Sequence, residues 1–145
     1  MKSMFIAIIM MVSFLAQTAQ AAEPPMNSSI IRAFETSYSE AENAHWSEVG
    51  NLYKVDFTLR DDSMFAFYNS NGDLVVTGKY LNLNGLPKAA RSKLIETAQG
   101  ATIAELFQLS DESGTRYYAT LSTQSGKSVL ESTGGKWSPF TTSSK

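Results

Sequence analysis

The sequence predicts an α+β fold: two helix-plus-four-stranded antiparallel meander repeats forming one sheet with helices on one face. Three observations point there. Apolar residues at three-to-four spacing open each half of the chain, as on a half-buried helix. Two-residue alternation follows each stripe, as on strands with one covered face. Gly- and Asn-containing turns punctuate the alternation at hairpin spacing. The 145 residues are 43% hydrophobic and 18% charged, the balance of a folded chain able to bury a core.

The chain opens on an export signal. Lys2 precedes a twelve-residue apolar run, Met4 to Leu15, and Ala19-Gln20-Ala21 follows with the small-x-small pattern of a cleavage site. The run is shorter than the roughly 20 residues a membrane-spanning helix needs. We therefore expect residues 1–21 to be a signal peptide and 22–145 the mature domain. The mature protein is expected in the periplasm or secreted, with no membrane span after cleavage. An exported chain could carry disulfides, but this one has no cysteine, so packing alone must stabilise it.

The first repeat is expected over about 28–79. Asn27, Ser28 and Ser29 are candidate N-caps, and Ile30, Phe34, Tyr38 and Ala41 form a stripe that predicts a helix from about Ser29 to Ser39. Strand patterning begins near Glu42. Tyr53, Val55, Phe57 and Leu59 then fall on one face, with Lys54, Asp56, Thr58 and Arg60 on a wet one. Asp61-Asp62-Ser63 reads as a turn, Met64–Tyr68 as a strand, Asn69–Gly72 as a hairpin turn and Asp73–Thr77 as the last strand of a meander. Lys79–Gly85 connects to the second repeat, about 84–140. There Pro87 suits a first helical position, and Leu86, Ala90, Leu94 and Ala98 form the stripe. Strands are expected at Ile103–Phe107, Tyr117–Thr123, Val129–Ser132 and Lys136–Phe140, parted by turns at Asp111–Gly114, Gln124–Lys127 and Gly134-Gly135. Ala41 and Ala101 lie sixty residues apart, and Tyr53 and Tyr117 sixty-four, so the two halves share a pattern more than residues.

Several of these residues carry a family resemblance. Phe34-x-x-x-Tyr38-x-x-Ala41, then Trp46, Phe57 and Phe65-x-Phe67-x-x-x-x-Gly72-Asp73-Leu74, resemble the PepSY-like proteins grouped as β-lactamase-inhibitor-like. Leu86-Pro87-x-x-Ala90, Leu94, Tyr117-Tyr118 and Gly134-Gly135 extend the match into the second half. Ser39 departs from a frequent Pro, and Ala98-Gln99-Gly100 from a second Tyr-Pro-like step. The resemblance implies an exported fold of two repeats that binds or restrains another exported protein.

The residues offer little chemistry. His45 is the one histidine, and no G-x-S-x-G elbow accompanies it. Asn69–Asp73 is an oxygen-rich turn without the carboxylates of a calcium loop. Gly134-Gly135-Lys136 lacks phosphate-loop spacing. The expectation is no catalytic residue, no metal and no cofactor. With a net charge of −2 and no basic run, nucleic acid is not an expected partner. The function expected is a non-enzymatic binding module, possible inhibitor or modulator of an exported protein. The alternative is a small envelope protein holding a cell-wall or lipid-like ligand between helix and sheet. Met64 and Tyr68 alternate with Phe65 and Phe67, and Tyr118 with Tyr117, so Met64, Tyr68 and Tyr118 are the candidate protein-binding residues of the sheet face away from the helices.

Overall fold

A computed structural model of the protein describes residues 24–111 and 113–141. The expected signal peptide therefore lies outside the described residues. Eight strands form one sheet in chain order: β1 (Ala41–Val49), β2 (Leu52–Leu59), β3 (Asp62–Tyr68), β4 (Leu74–Tyr80), β5 (Thr102–Asp111), β6 (Gly114–Thr123), β7 (Gly126–Thr133) and β8 (Lys136–Pro139). Among the described residues two helices accompany it, α1 (Ser28–Ser37) and α2 (Lys88–Ala98), with a 3-10 turn at Leu83–Gly85.

This corrects the expected fold class. The fold is sheet-dominated, and two equivalent helix-plus-four-strand repeats are not what it is built from. The chain divides into two compact units at Thr77/Gly78, inside β4 and not in a linker. The expected connector from Lys79 begins as strand, because β4 runs on to Tyr80. The strands are also longer than their apolar cores suggested: β5 and β6 each span ten residues, their polar ends held by backbone pairing and by side-chain contacts of Ser110 with Thr115 and of Asp111 with Arg116.

Unit 1 is built around α1. Asn27 Oδ1 accepts from Ser29 N–H at 3.1 Å and caps the first turn. The helix stops short of Ser39, since Tyr38 leaves helical geometry while its N–H still donates to Phe34 O. Ile30 and Phe34, one turn apart, are the buried face. The Phe34 ring meets Trp46 at 5.4 Å, Phe57 at 5.0 Å and Tyr68 at 6.5 Å, all near edge-on. Edge-to-face contacts of this kind add about 0.5–1.5 kcal/mol each beyond area burial. Tyr38 packs on Phe57 at 4.8 Å and donates its hydroxyl hydrogen to Thr77 Oγ1, tying the end of α1 to β4. At the other end of α1 the backbone passes directly over Gly72. A Cβ there would lie 3.2 Å from Ser29 O, and the φ of +91° is itself foreign to other residues.

Unit 2 has an aliphatic core: Leu86, Leu94, Ala98, Leu106, Ala119, Leu121 and Leu130, with Tyr117 and Trp137 at its margin. Its helix α2 begins after Pro87 with no side-chain cap. The hold on α2 comes from β8, where Trp137 Nε1–H donates to Ala90 O at 2.8 Å. Gln99 and Gly100 turn the chain out of α2 through left-handed backbone.

Candidate protein-binding surface

The register of the β2–β3 hairpin decides where the candidate residues point. Leu59 pairs with Asp62, leaving a two-residue turn of Arg60, in left-handed backbone at φ 57°, and Asp61. Phe57 therefore faces Met64, Val55 faces Ala66 and Tyr53 faces Tyr68. Residues opposite one another share a face, so Met64 and Tyr68 join Phe57 under α1. The expected turn, Asp61-Asp62-Ser63, is one residue longer. It would have opposed Phe57 to Phe67 and sent Met64 and Tyr68 outward. The two registers differ by three residues, and any odd shift flips every side chain of a strand.

The expectation of an exposed Met64–Tyr68–Tyr118 face is corrected accordingly. Tyr68 is 1% exposed in the α1 core, and Met64 packs half-buried against the same cluster. Burial, aided by the neighbouring Tyr38 hydroxyl and opposed by Ser37, pushes the Tyr68 phenol up to about 12. Tyr118 lies in unit 2 and is 0% exposed. Its ring stacks on Phe107 at 5.4 Å and meets the edge of Phe140 at 5.6 Å. Its hydroxyl donates to Glu131 Oε1 at 2.7 Å. Arg116 stands beside this pair, 2.6 Å from Asp111 and 3.9 Å from Glu131. Burial foremost, then the bond to Glu131, raise the Tyr118 phenol well above its ordinary value, so it is a proton donor and not a phenolate. The network locks the turn between β5 and β6 to β7. Charge patterning hinted at it only through Arg116 and Glu131, which are distant in sequence.

The face of unit 1 away from α1 is also less wet than expected. Phe65 and Phe67 are 2% and 0% exposed. Lys54 lies over the Phe65 ring at 5.5 Å and pairs with Asp56 at 2.8 Å, its side chain only 15% exposed. His45 is exposed on β1, in register with Asp56. Among the described residues no group of three or more His, Cys, Asp or Glu is placed to hold a metal ion.

What remains outside is a polar surface with a few aliphatic side chains. Among the described residues, Ile31 on α1, Leu74 on β4 and Ile95 on α2 are the exposed large hydrophobic ones, at 37%, 45% and 56%. Ile31 and Leu74 both flank the place where Gly72 meets the Ser29–Ile30 backbone. Unit 2 has a recess of about 730 Å³ lined by hydroxyls and amides, among them Thr97, Gln99, Thr102, Ser122, Gln124 and Ser128.

The architecture is shared with solved structures. A BLIP-like protein from Bacteroides fragilis is 21% identical, with a TM-score of 0.67 over 86% of this chain and 92% of that one. A candidate periplasmic protein from Bacteroides eggerthii is 13% identical, with a TM-score of 0.69 over 80% of this chain and 90% of that one. A DUF2874 family protein from Bacteroides ovatus is 16% identical, with a TM-score of 0.66 over 82% and 89%. The likeness is one of fold. A BLIP-like fold is thus among those this chain shares, whereas a PepSY-like one is not shown. No protein-family model matches the sequence, and no curated protein does.

Proposed function

We propose that the mature chain is an exported, non-enzymatic module that binds another exported protein and modulates it. The observation that carries this reading is the BLIP-like fold, matched over 86% of the chain. The leader read from Lys2, Met4–Leu15 and Ala19-Gln20-Ala21 supports export, as does the candidate periplasmic neighbour. Among the described residues no helix is long and apolar enough to cross a membrane. The space between α1 and the sheet is filled by Phe34, Phe57 and Tyr68, and beneath α2 by Leu94 and Ala90, which are 0% and 2% exposed. A ligand held between helix and sheet is therefore the weaker reading. Binding falls to the outer surface, where Ile31, Leu74 and Ile95 offer aliphatic contacts inside polar surroundings, the composition of a small interface.

Two measurements test this. The intact mass of the exported protein should correspond to a chain starting at Ala22; a product retaining Met4–Leu15 contradicts export by cleavage. The tagged mature chain, incubated with envelope extract, should co-elute with a protein on size exclusion. Ile31→Asp and Ile95→Asp leave the core untouched, and at least one should abolish that co-elution. Complexes that survive both changes would place binding elsewhere.

A further inference from the structure

Charge is divided between the two units. Residues 24–77 hold eight Asp and Glu against three Lys and Arg, a net of minus five; residues 78–145 hold five against eight, a net of plus three. Acidic groups gather at the β1 edge of the sheet, and basic groups on α2 and the start of β8 at the other edge. At one edge, pairing of Ala41 with Leu59 and of Leu59 with Asp62 brings Glu40, Glu42, Asp61 and Asp62 to one end of β1–β3. Arg60 is the base there, 3.6 Å from Glu40. Glu48 adds a further exposed carboxylate along β1. At the other edge, a Cβ on Gly135 would lie 3.9 Å from Ala89 Cβ, so the β7–β8 turn abuts α2. Lys136 and Lys88, each next in chain to one of these two residues, are exposed, as is Lys93 one turn beyond Ala89, which pairs with Glu96 at 2.8 Å. The first turn of α2 has no acidic residue and no side-chain cap, so the positive helix end adds to the same ridge.

We infer that the acidic β1 edge of one copy docks on the basic α2–β8 edge of the next, giving a head-to-tail self-association. A second copy is the occupant because the complement of each edge is carried on the same chain. The contact is made by side-chain charges and not by sheet extension. Asn43, in left-handed backbone at φ 54° at a register break, interrupts β1, and β8 has four residues ending on Pro139; both features blunt an edge against strand addition. A heterologous contact of this kind repeats without closing unless its rotation forms a ring. It also weakens steeply with salt, since the screening length falls from about 30 Å at 0.01 M to about 8 Å at 0.15 M. The inference stands apart from the proposed binding of another protein.

Sedimentation velocity of the mature chain tests it. At about 0.01 M salt the weight-average mass should rise with concentration to at least about twice the monomer, and return to the monomer at physiological salt. Lys88→Glu with Lys136→Glu, and separately Glu42→Lys with Asp61→Lys, should each stay monomeric at low salt. Mixed one to one, the two variants should associate again. A wild-type chain that stays monomeric at low salt overturns the inference, whatever the variants do. So does self-association unchanged in either variant. A wild-type monomer whose Lys88 and Lys136 instead bind anionic lipid vesicles would assign the basic edge to a lipid surface and overturn it too. Circular dichroism melts of the variants confirm that they fold.

Discussion

Phe34 is the residue on which unit 1 turns, since one side chain touches an aromatic from each of β1, β2 and β3. Phe34→Ala should cost about 3–5 kcal/mol, a large share of a total stability of about 5–15 kcal/mol. Ile31→Ala, on the outer face of the same helix, should change it by less than about 0.5 kcal/mol. Urea melts of the two variants check this, and equal losses would reverse the faces of α1. Tyr68 and Tyr118 carry a pH signature. Their folded phenols titrate above the ordinary value near 10, so the folded state holds those protons longer than the unfolded chain does. Their stabilisation is full below pH 10 and is lost as pH rises from 10 through the folded pKa, which for Tyr68 is about 12. Melts in alkaline buffer should show Tyr68→Phe losing less stability with rising pH than the wild type; parallel curves would contradict the burial of that hydroxyl. Periodicity made most of these core aromatics legible in the sequence. It could not assign the faces of β3, because Met64, Phe65, Ala66, Phe67 and Tyr68 are all apolar enough to bury.

At the scale of elements, the β2–β3 turn explains most of what the sequence concealed. Turn propensity favoured Asp61-Asp62-Ser63, yet the chain turns at Arg60-Asp61, with Arg60 accepting left-handed backbone. Asp62 then becomes the first residue of β3, and the strand reverses its faces. The Asn69–Gly72 turn was easier to read, because Asn-Gly supplies local hydrogen bonds and positive φ together. Asn69 Oδ1 accepts from the N–H groups of both Asn71 and Asp73. Gly72 also clears α1, a tertiary demand invisible in the sequence. Gly72→Ala combines a strained φ with a 3.2 Å approach to Ser29 O, and should cost at least about 1–3 kcal/mol in a thermal melt. Gly126→Ala, whose φ is also positive but whose Cβ would meet nothing, should cost less. Equal costs would mean that α1 does not press on Gly72. The length of β4 was equally hidden: Thr77 looked like an end, while backbone pairing carries the strand to Tyr80.

At the scale of the whole molecule, alternation and turns reveal the strand-rich pattern and the two helices of the described residues. They did not reveal that eight strands would form one sheet divided inside β4, because strand order and division follow from pairing and not from composition. The candidate binding residues failed for a related reason. A sheet face without a helix on it is not thereby open: Phe65, Phe67 and Tyr118 are all buried away from the helices. The proposed binding therefore falls to the outer surface, where Ile31, Leu74 and Ile95 are exposed. The most direct measurement is a calorimetric titration. The protein that co-elutes with the mature chain from envelope extract is purified separately and titrated with the mature chain at physiological salt, where the inferred self-association is screened. Saturable binding with a Kd of about 1 μM or tighter is expected, unchanged by Tyr68→Phe, which leaves the outer surface as it was. An extract that yields only further copies of the chain, or a captured protein that gives no heat of binding once pure, would contradict a protein-binding role.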